Sequence, residues 1–119
     1  DLVVLPGGIP GVPNLKENSK VQAMVKAQND RGGYVAAICA GPTALGAFGV
    51  LVDKNATCYP GCEDQLMAKR HSTEPVVVDG NVITSRGVGT AIEFALKLVE
   101  ILIDRQTADD LAEKIVYKR

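Results

Sequence analysis

Cys39 is the residue best suited to covalent chemistry, because it stands where an apolar run ends and a series of small residues begins. Residues 34–38 are predicted to form a buried strand, and Pro42 suits the first turn of a helix that starts near Gly41. A helix N-terminus stabilises a thiolate through its dipole and its unpaired N–H groups. The sequence therefore predicts a cysteine nucleophile, with an inert buried cysteine as the alternative.

Two glycines, Gly7 and Gly8, follow another apolar run at residues 2–5. Loops at the carboxyl ends of neighbouring parallel strands meet in one crevice, so these glycines could lie beside the thiol. The N–H of Gly8, together with that of Ala40, would then form an oxyanion hole for a carbonyl attacked by Cys39. Gly7 would be a further substrate contact, and an ordinary strand-to-loop turn is the alternative.

A general base is harder to assign from the sequence. His71, the single histidine, follows two basic residues in a polar stretch that is predicted to be exposed, which disfavours a Cys–His dyad. A carboxylate is the other option. Glu17, Glu63 and Asp64 are candidates, but no local context singles one of them out.

Two further cysteines and one arginine complete the list of candidates. Cys58 and Cys62 are separated by three residues; zinc would need two more ligands and no second pair exists, so no metal site is predicted. Packed or loop cysteines, or a resolving thiol for oxidised Cys39, are the interpretations left open. Arg86 could bind an anion or form a structural ion pair. Its loop lacks the GxGxxG pattern, and no cofactor is predicted.

Strand-like runs alternate with helical patterns, which predicts an α/β fold with a mostly parallel sheet in one domain over residues 1–119. Residues 76–78 and 81–85 flank Asp79 and Gly80, which predicts a hairpin. Residues 9–14 are predicted to be a loop.

Helices are predicted between and after these strands. The first runs from Asn18 or Ser19 to the glycines at 32 and 33, and the second follows Cys39. The third covers residues 63–70 with Leu66 and Met67 as apolar contacts, and the fourth runs from Thr90 or Ala91 to about Asp104. The last is capped by Thr107, with Asp110 at the capping-box position. The fourth is predicted to pair Glu93 with Lys97. Its expected buried stripe comprises Ile92, Ala95, Leu96, Val99, Leu102 and Ile103.

The composition excludes several functional classes. Thirteen basic and fourteen acidic residues give a formal net charge of −1, so no nucleic-acid or membrane-surface partner is expected. No apolar run approaches the roughly 20 residues that span a bilayer. Three cysteines, an odd number, favour free thiols in a reducing compartment, and a cytoplasmic location is expected. The chain begins directly with a strand, so an N-terminal part of the domain is expected to be missing.

Three segments together resemble the ThiJ/PfpI superfamily, and most closely its DJ-one-like branch. Residues 36–45 resemble its nucleophile elbow, residues 3–8 its first strand and oxyanion loop, and residues 83–90 with 93–96 its late loop and helix. The segments occur in the family's order and span nearly the whole chain, so the combination is highly specific.

The resemblance implies a flavodoxin-like three-layer sandwich, usually a homodimer, with Cys39 as an oxidation-prone nucleophile and Gly8 and Ala40 as oxyanion donors. Members are described as cofactor-independent glyoxalases that convert methylglyoxal to lactate, as deglycases of glyoxal adducts, and as redox-responsive chaperones. A small aldehyde substrate and protection against carbonyl and oxidative stress are therefore expected. A redox-sensing, chaperone-like protein with little turnover is the alternative.

Two departures from the family pattern affect these expectations. The family's acid/base glutamate lies on an early loop that precedes the position matching Asp1, so a separate N-terminal peptide is expected to complete the site. Tyr59 stands where the DJ-one-like branch has a histidine, which makes Tyr59 a candidate substrate contact. The protease-like branch has a histidine at the position of Ala40, and its absence here argues against a peptidase.

Overall fold

Six strands form two sheets in the computed structural model, which describes residues 1–119. The strands are β1 (Leu2–Leu5), β2 (Tyr34–Ile38), β3 (Asn55–Ala56), β4 (Arg70–His71), β5 (Val76–Asp79) and β6 (Val82–Ser85). The main sheet has the order β1-β2-β6-β5, and β3 pairs with β4 in a separate two-stranded sheet. Within the main sheet, β1, β2 and β6 are parallel and only β5 is antiparallel, so the mostly parallel sheet is confirmed.

Five helices surround the main sheet: α1 (Gly11–Glu17), α2 (Ser19–Asp30), α3 (Pro42–Ala47), α4 (Ala91–Leu102) and α5 (Arg105–Lys114). Short 3₁₀ turns cover Glu63–Gln65 and Val88–Thr90. No helix is both long enough and apolar enough to cross a membrane. The predicted cap of α2 is confirmed, because the Asn18 side chain accepts hydrogen bonds from the Lys20 and Val21 N–H groups.

The alternating side chains of β2 divide the core into two layers. Val35 and Ala37 belong to the larger cluster, which α1, α2 and α3 cover. Ala36 faces the opposite side, where it packs with Ile83 of β6 and Phe94 of α4. The three-layer sandwich that the family resemblance implies is therefore present.

The predicted loop at residues 9–14 is wrong for its last four residues, because α1 begins at Gly11. Pro10 and Pro13 resemble loop punctuation in the sequence. Pro13 nevertheless lies in the first turn of the helix, where its missing N–H would have no acceptor within the helix. Val12, which is 2% exposed, anchors this turn in the core.

The helix predicted over residues 63–70 is also wrong. Only the Glu63–Gln65 turn forms, and the chain then continues into β4. Leu66 is buried as expected, whereas Met67 has a φ of 54° and is 65% exposed. The backbone leaves the helical region at Met67 because β4 has to pair with β3, and tertiary pairing here overrides local helix propensity.

The predicted buried stripe of α4 is wrong in most of its members. Phe94 and Leu96 are buried, while Ile92, Leu102 and Ile103 are more than 40% exposed. The helix carries apolar residues on nearly every side, so its spacing is compatible with more than one buried face. The sheet selects the face that places the Phe94 ring against Ala36 and Ile83.

Two polar predictions at the C-terminal end are corrected as well. Asp104, and not Thr107, is the N-cap of α5, and its carboxylate accepts the Thr107 N–H at 2.7 Å. Glu93 does not pair with Lys97. It accepts a hydrogen bond from the Tyr117 hydroxyl at 2.8 Å, because the C-terminal segment folds back over α4.

Candidate active site

The strand-to-helix turn holds Cys39 in a backbone conformation that few residues other than glycine adopt. Its φ is 65°, in the left-handed region, where a side chain costs about 1–2 kcal/mol. Two hydrogen bonds fix its peptide groups: the Cys39 N–H donates to the Ser85 carbonyl at 3.1 Å, and the Tyr59 N–H donates to the Cys39 carbonyl at 2.8 Å. A strained residue that its surroundings hold in place is typical of functional sites.

The first-strand loop approaches this turn so closely that two positions require glycine. A Cβ at Gly7 would lie 2.6 Å from the Cys39 Cβ and 3.3 Å from its Sγ. A Cβ at Gly41 would lie 2.8 Å from the carbonyl oxygens of Ile38 and Leu5. The two loops therefore meet, as the parallel-sheet argument predicts.

The half-buried Cys39 borders an open cavity of about 300 Å³, called here the Cys39 crevice. Its lining residues are Gly7, Gly8, Ile38, Cys39, Gly87, Val88 and Ala91. Apart from the cysteine, none of these residues carries a titratable side chain. The crevice thus offers one thiol within apolar walls.

Two backbone N–H groups near the thiol are without a protein acceptor. Neither Gly8 nor Ala40 donates a hydrogen bond from its N–H, although both residues are anchored through their carbonyls. The Gly8 carbonyl accepts from the Val12 N–H at 2.8 Å, and the Ala40 carbonyl accepts from the Thr43 hydroxyl at 2.6 Å. The predicted oxyanion donors are therefore held in place with their N–H groups available, and their catalytic role stays a prediction.

Two hydroxyl groups that the sequence does not single out, those of Ser85 and Thr90, hold a second loop that lines the crevice. The Thr90 Oγ1 accepts the N–H groups of Arg86 and Gly87 at 3.2 and 3.0 Å. It also lies 2.7 Å from the Ser85 Oγ, which donates to the Pro75 carbonyl at 2.6 Å. These bonds fix the loop that carries Gly87 and Val88. The only sequence signal was a serine and a threonine flanking a Gly-rich loop.

Arg86 and Tyr59 lie near the Cys39 crevice without lining it. The Arg86 Nε donates to the Cys58 carbonyl at 3.2 Å, so the guanidinium supports the neighbouring loop. The Tyr59 ring lies beside Gly87, 3.5 Å from the position of a Cβ there, and the residue is 51% exposed. Direct contact of either side chain with a substrate stays a prediction.

Comparison with known proteins assigns the chain to a family. Residues 1–101 match the model of the DJ-1/PfpI family. The chain belongs to the DJ-1/PfpI family. The match covers the whole main sheet with the Cys39 turn, the glycine loop and the late loop, as the resemblance implied.

Individual members of the DJ-1/PfpI family are similar over nearly the full chain. The Parkinson disease protein 7 homolog of Danio rerio is 46% identical over 99% of this chain and 64% of its own length. The glutathione-independent glyoxalase DJR-1.2 of Caenorhabditis elegans is 38% identical over 97% of this chain and 62% of its own. The structure of oxidised Toxoplasma gondii DJ-1 superposes with a TM-score of 0.94 at 35% identity, covering 99% of this chain and 65% of that one. The chain thus spans somewhat less than two thirds of these relatives.

No side chain of residues 1–119 that could act as a general base lines the Cys39 crevice. His71 and the three carboxylates considered above, Glu17, Glu63 and Asp64, are absent from its lining. Cys58 is fully buried, and burial, reinforced by the nearby Cys62 and Glu63, raises the pKa of its thiol to about 11. Cys39 is therefore the one reactive side chain that borders the crevice.

Proposed function

We propose that the Cys39 crevice carries out a cofactor-independent glyoxalase or deglycase reaction on methylglyoxal or on early glyoxal adducts. The observation that carries the proposal is that Cys39 and Gly8 line one crevice and that the N–H groups of Gly8 and of Ala40, the residue after Cys39, lack acceptors. A small neutral aldehyde suits a cavity of about 300 Å³ with apolar walls. The glyoxalase name of the C. elegans relative supports the same reaction class.

The chemistry begins with addition of the Cys39 thiolate to the aldehyde carbon, which forms a C–S bond and places a negative charge on the oxygen. The N–H groups of Gly8 and Ala40 stabilise this oxyanion, which becomes a hemithioacetal on protonation. A base then moves the proton from that carbon to the adjacent carbonyl carbon, while the hydroxyl proton of the hemithioacetal passes to the adjacent carbonyl oxygen, giving a lactyl thioester. Water cleaves the thioester to lactate and the free thiol, so methylglyoxal and water are the only reactants.

The base in this scheme is a carboxylate from a segment other than residues 1–119. β1 is an edge strand of the main sheet, and Val4 on it is 42% exposed. A strand that paired in parallel along this edge would end beside Gly7 and Gly8, where a following loop could bring a carboxylate to Cys39. We further propose, on the family resemblance alone, that the protein acts as a homodimer, which its mass in solution tests.

Lactate formation from methylglyoxal by the full-length protein tests the reaction. We expect Cys39→Ala to abolish turnover, because no other nucleophile borders the crevice. Cys62→Ala, which removes a half-buried thiol that does not line the crevice, is the matched control and should keep the activity. Turnover that survives Cys39→Ala would rule out the proposal.

A redox sensor is the second candidate, because Cys39 is a half-buried thiol beside an open crevice while Cys58 is fully buried. Peroxide would convert the Cys39 thiolate first to a sulfenic and then to a sulfinic acid. Mass spectrometry after mild peroxide treatment distinguishes the two candidates. Selective sulfinic acid at Cys39 with negligible lactate formation favours the sensor, whereas earlier oxidation of Cys58 or Cys62 contradicts it.

A further inference from the structure

Three metal-ligand side chains of the stretch between β3 and β5 converge outside the Cys39 crevice. The Cys58 Sγ, a Glu63 carboxylate oxygen and a His71 ring nitrogen all lie within 4.8 Å of one another. The Cys58–Cys62 spacing by itself predicts no metal site. We propose that Cys58, Glu63 and His71 form a zinc site, with a water molecule as the fourth ligand.

The donor set matches the chemistry of Zn²⁺. Thiolate, imidazole and carboxylate are its usual protein ligands, and three protein ligands with one open position make a common arrangement. Zinc bonds of about 2.0–2.3 Å in a tetrahedron separate neighbouring ligand atoms by about 3.5 Å. The three atoms therefore have to approach one another by at most about 1.3 Å. Glu63 and His71 keep contact with solvent, so their side chains can make this movement and an ion can enter.

The backbone around each ligand is already fixed. The Thr57 N–H donates to the buried Thr84 hydroxyl at 3.0 Å, and the Cys58 carbonyl accepts from Arg86, so Cys58 is anchored on both sides. His71 is held opposite Ala56, two residues before Cys58, by the pairing of β3 with β4. A preformed backbone lowers the entropic cost of binding an ion.

The Glu63 carboxylate is oriented by its own turn. Its two oxygens accept the Gly61 N–H at 2.7 and 2.8 Å. Hydrogen bonds of this kind orient the ligands of metal sites and leave lone pairs for the ion. They also hold the pKa of Glu63 below its usual range, with smaller contributions from His71 and Arg86, so the carboxylate is charged at neutral pH.

The charges near the three ligands favour a cation on balance. With Cys58 as a thiolate and Glu63 ionised, the ligands carry two negative charges. The guanidinium of Arg86 is the positive group whose field reaches both residues, and it offsets one of those charges. A divalent ion displaces the Cys58 proton on binding, which is how thiol ligands normally enter zinc sites.

Cobalt binding to a single-thiol variant gives a direct test. In untagged protein in which serine replaces Cys39, Cys62 and every cysteine outside residues 1–119, Cys58 is the only thiol, so a thiolate-to-cobalt charge-transfer band on adding Co²⁺ identifies it as a ligand. We expect one equivalent of Co²⁺ to produce the band and Zn²⁺ to remove it. Glu63→Gln and His71→Gln should each weaken binding at least tenfold, and Asp64→Asn is the matched control. Absence of the band, or unchanged affinity in both ligand variants, overturns the site.

A second measurement follows the ring of His71, the only histidine of residues 1–119. Comparison with the spectrum of His71→Gln identifies its ring signals by nuclear magnetic resonance. One equivalent of Zn²⁺ should shift these signals and fix one ring tautomer. Zinc binding that leaves them unchanged contradicts the proposal. Neither readout depends on lactate formation, so failure of the zinc site and failure of the proposed reaction are distinguishable.

Discussion

A Cβ atom at Gly7 would lie 2.6 Å from the Cβ of Cys39, which is closer than two carbon side-chain atoms can approach. The same atom would lie 3.0 Å from the Ile38 carbonyl oxygen, so backbone surrounds the position as well. The position of the thiol therefore depends on the absence of a side chain at Gly7.

We expect Gly7→Ala to displace the Cys39 turn and to reduce lactate formation at least tenfold. Overpacking of this kind costs about 1–3 kcal/mol of stability, so the thermal midpoint should fall as well. Gly89→Ala is the matched control, because a Cβ there meets nothing within 4 Å. Equal activity in the two variants would show that the close approach to Gly7 does not position the thiol.

Thr90→Val should make the loop that carries Gly87 and Val88 more mobile. The substitution keeps the shape of the side chain but leaves two backbone N–H groups without their acceptor, at a cost of about 1–3 kcal/mol. Chemical denaturation measures the loss, and faster hydrogen exchange at Gly87 locates it. Thr73→Val, at an exposed position whose hydroxyl makes no hydrogen bond within the chain, serves as the control. A loss of stability without faster exchange at Gly87 would contradict the assigned role.

Gly46→Ala should destabilise the protein although alanine is the better helix former. The helix would gain about 1 kcal/mol from propensity, but a Cβ there would overlap the Leu66 carbonyl and lie 2.7 Å from its carbon. Overpacking against backbone costs about 1–3 kcal/mol, so the net change is a loss. Gly11→Ala at the start of α1 meets nothing within 4 Å and should not destabilise. The denaturation midpoints of the two variants show whether Gly46→Ala raises or lowers the stability of the protein.

Asp104→Ala should lower stability at neutral pH by removing the cap of α5. The side-chain hydroxyl and the backbone N–H of Thr107 donate hydrogen bonds to the Asp104 carboxylate, and these hold the pKa of Asp104 below its ordinary value of 3.8. A carboxyl whose pKa is depressed in the folded state stabilises the protein above that ordinary value, and the contribution disappears as pH falls through the lower folded value.

Thermal midpoints of the wild type and Asp104→Ala should therefore differ at pH 7 and converge in acid. Asp110→Ala is the informative comparison, because the sequence places Asp110, and not Asp104, in a capping box. Its carboxylate accepts only from the Gln106 side chain at 2.8 Å. A larger drop in the thermal midpoint for Asp110→Ala than for Asp104→Ala would contradict the assignment of Asp104 as the N-cap.

Elements set by local pattern were predictable from the sequence. Continuous apolar runs identify β1 and β2, and the Asp79–Gly80 turn identifies the β5–β6 hairpin, in which Gly80 has a φ of 59°. The buried face of α4 was not predictable, because apolar residues surround that helix and only contact with the sheet selects Phe94. The two-residue pairing of β3 with β4 has no periodic signal, so the helix predicted over residues 63–70 was wrong.

The sequence by itself determined that Cys39 follows a buried strand at the start of a helix and that Gly7 and Gly8 follow a neighbouring strand. Strand and helix propensities act over a few residues, so a linear pattern reports them. Only the tertiary structure decided that the N–H groups of Gly8 and Ala40 lack acceptors and that Cys58, Glu63 and His71 converge. The first depends on packing between segments far apart in the chain, and the second on the pairing of β3 with β4, whose register places His71 opposite Ala56.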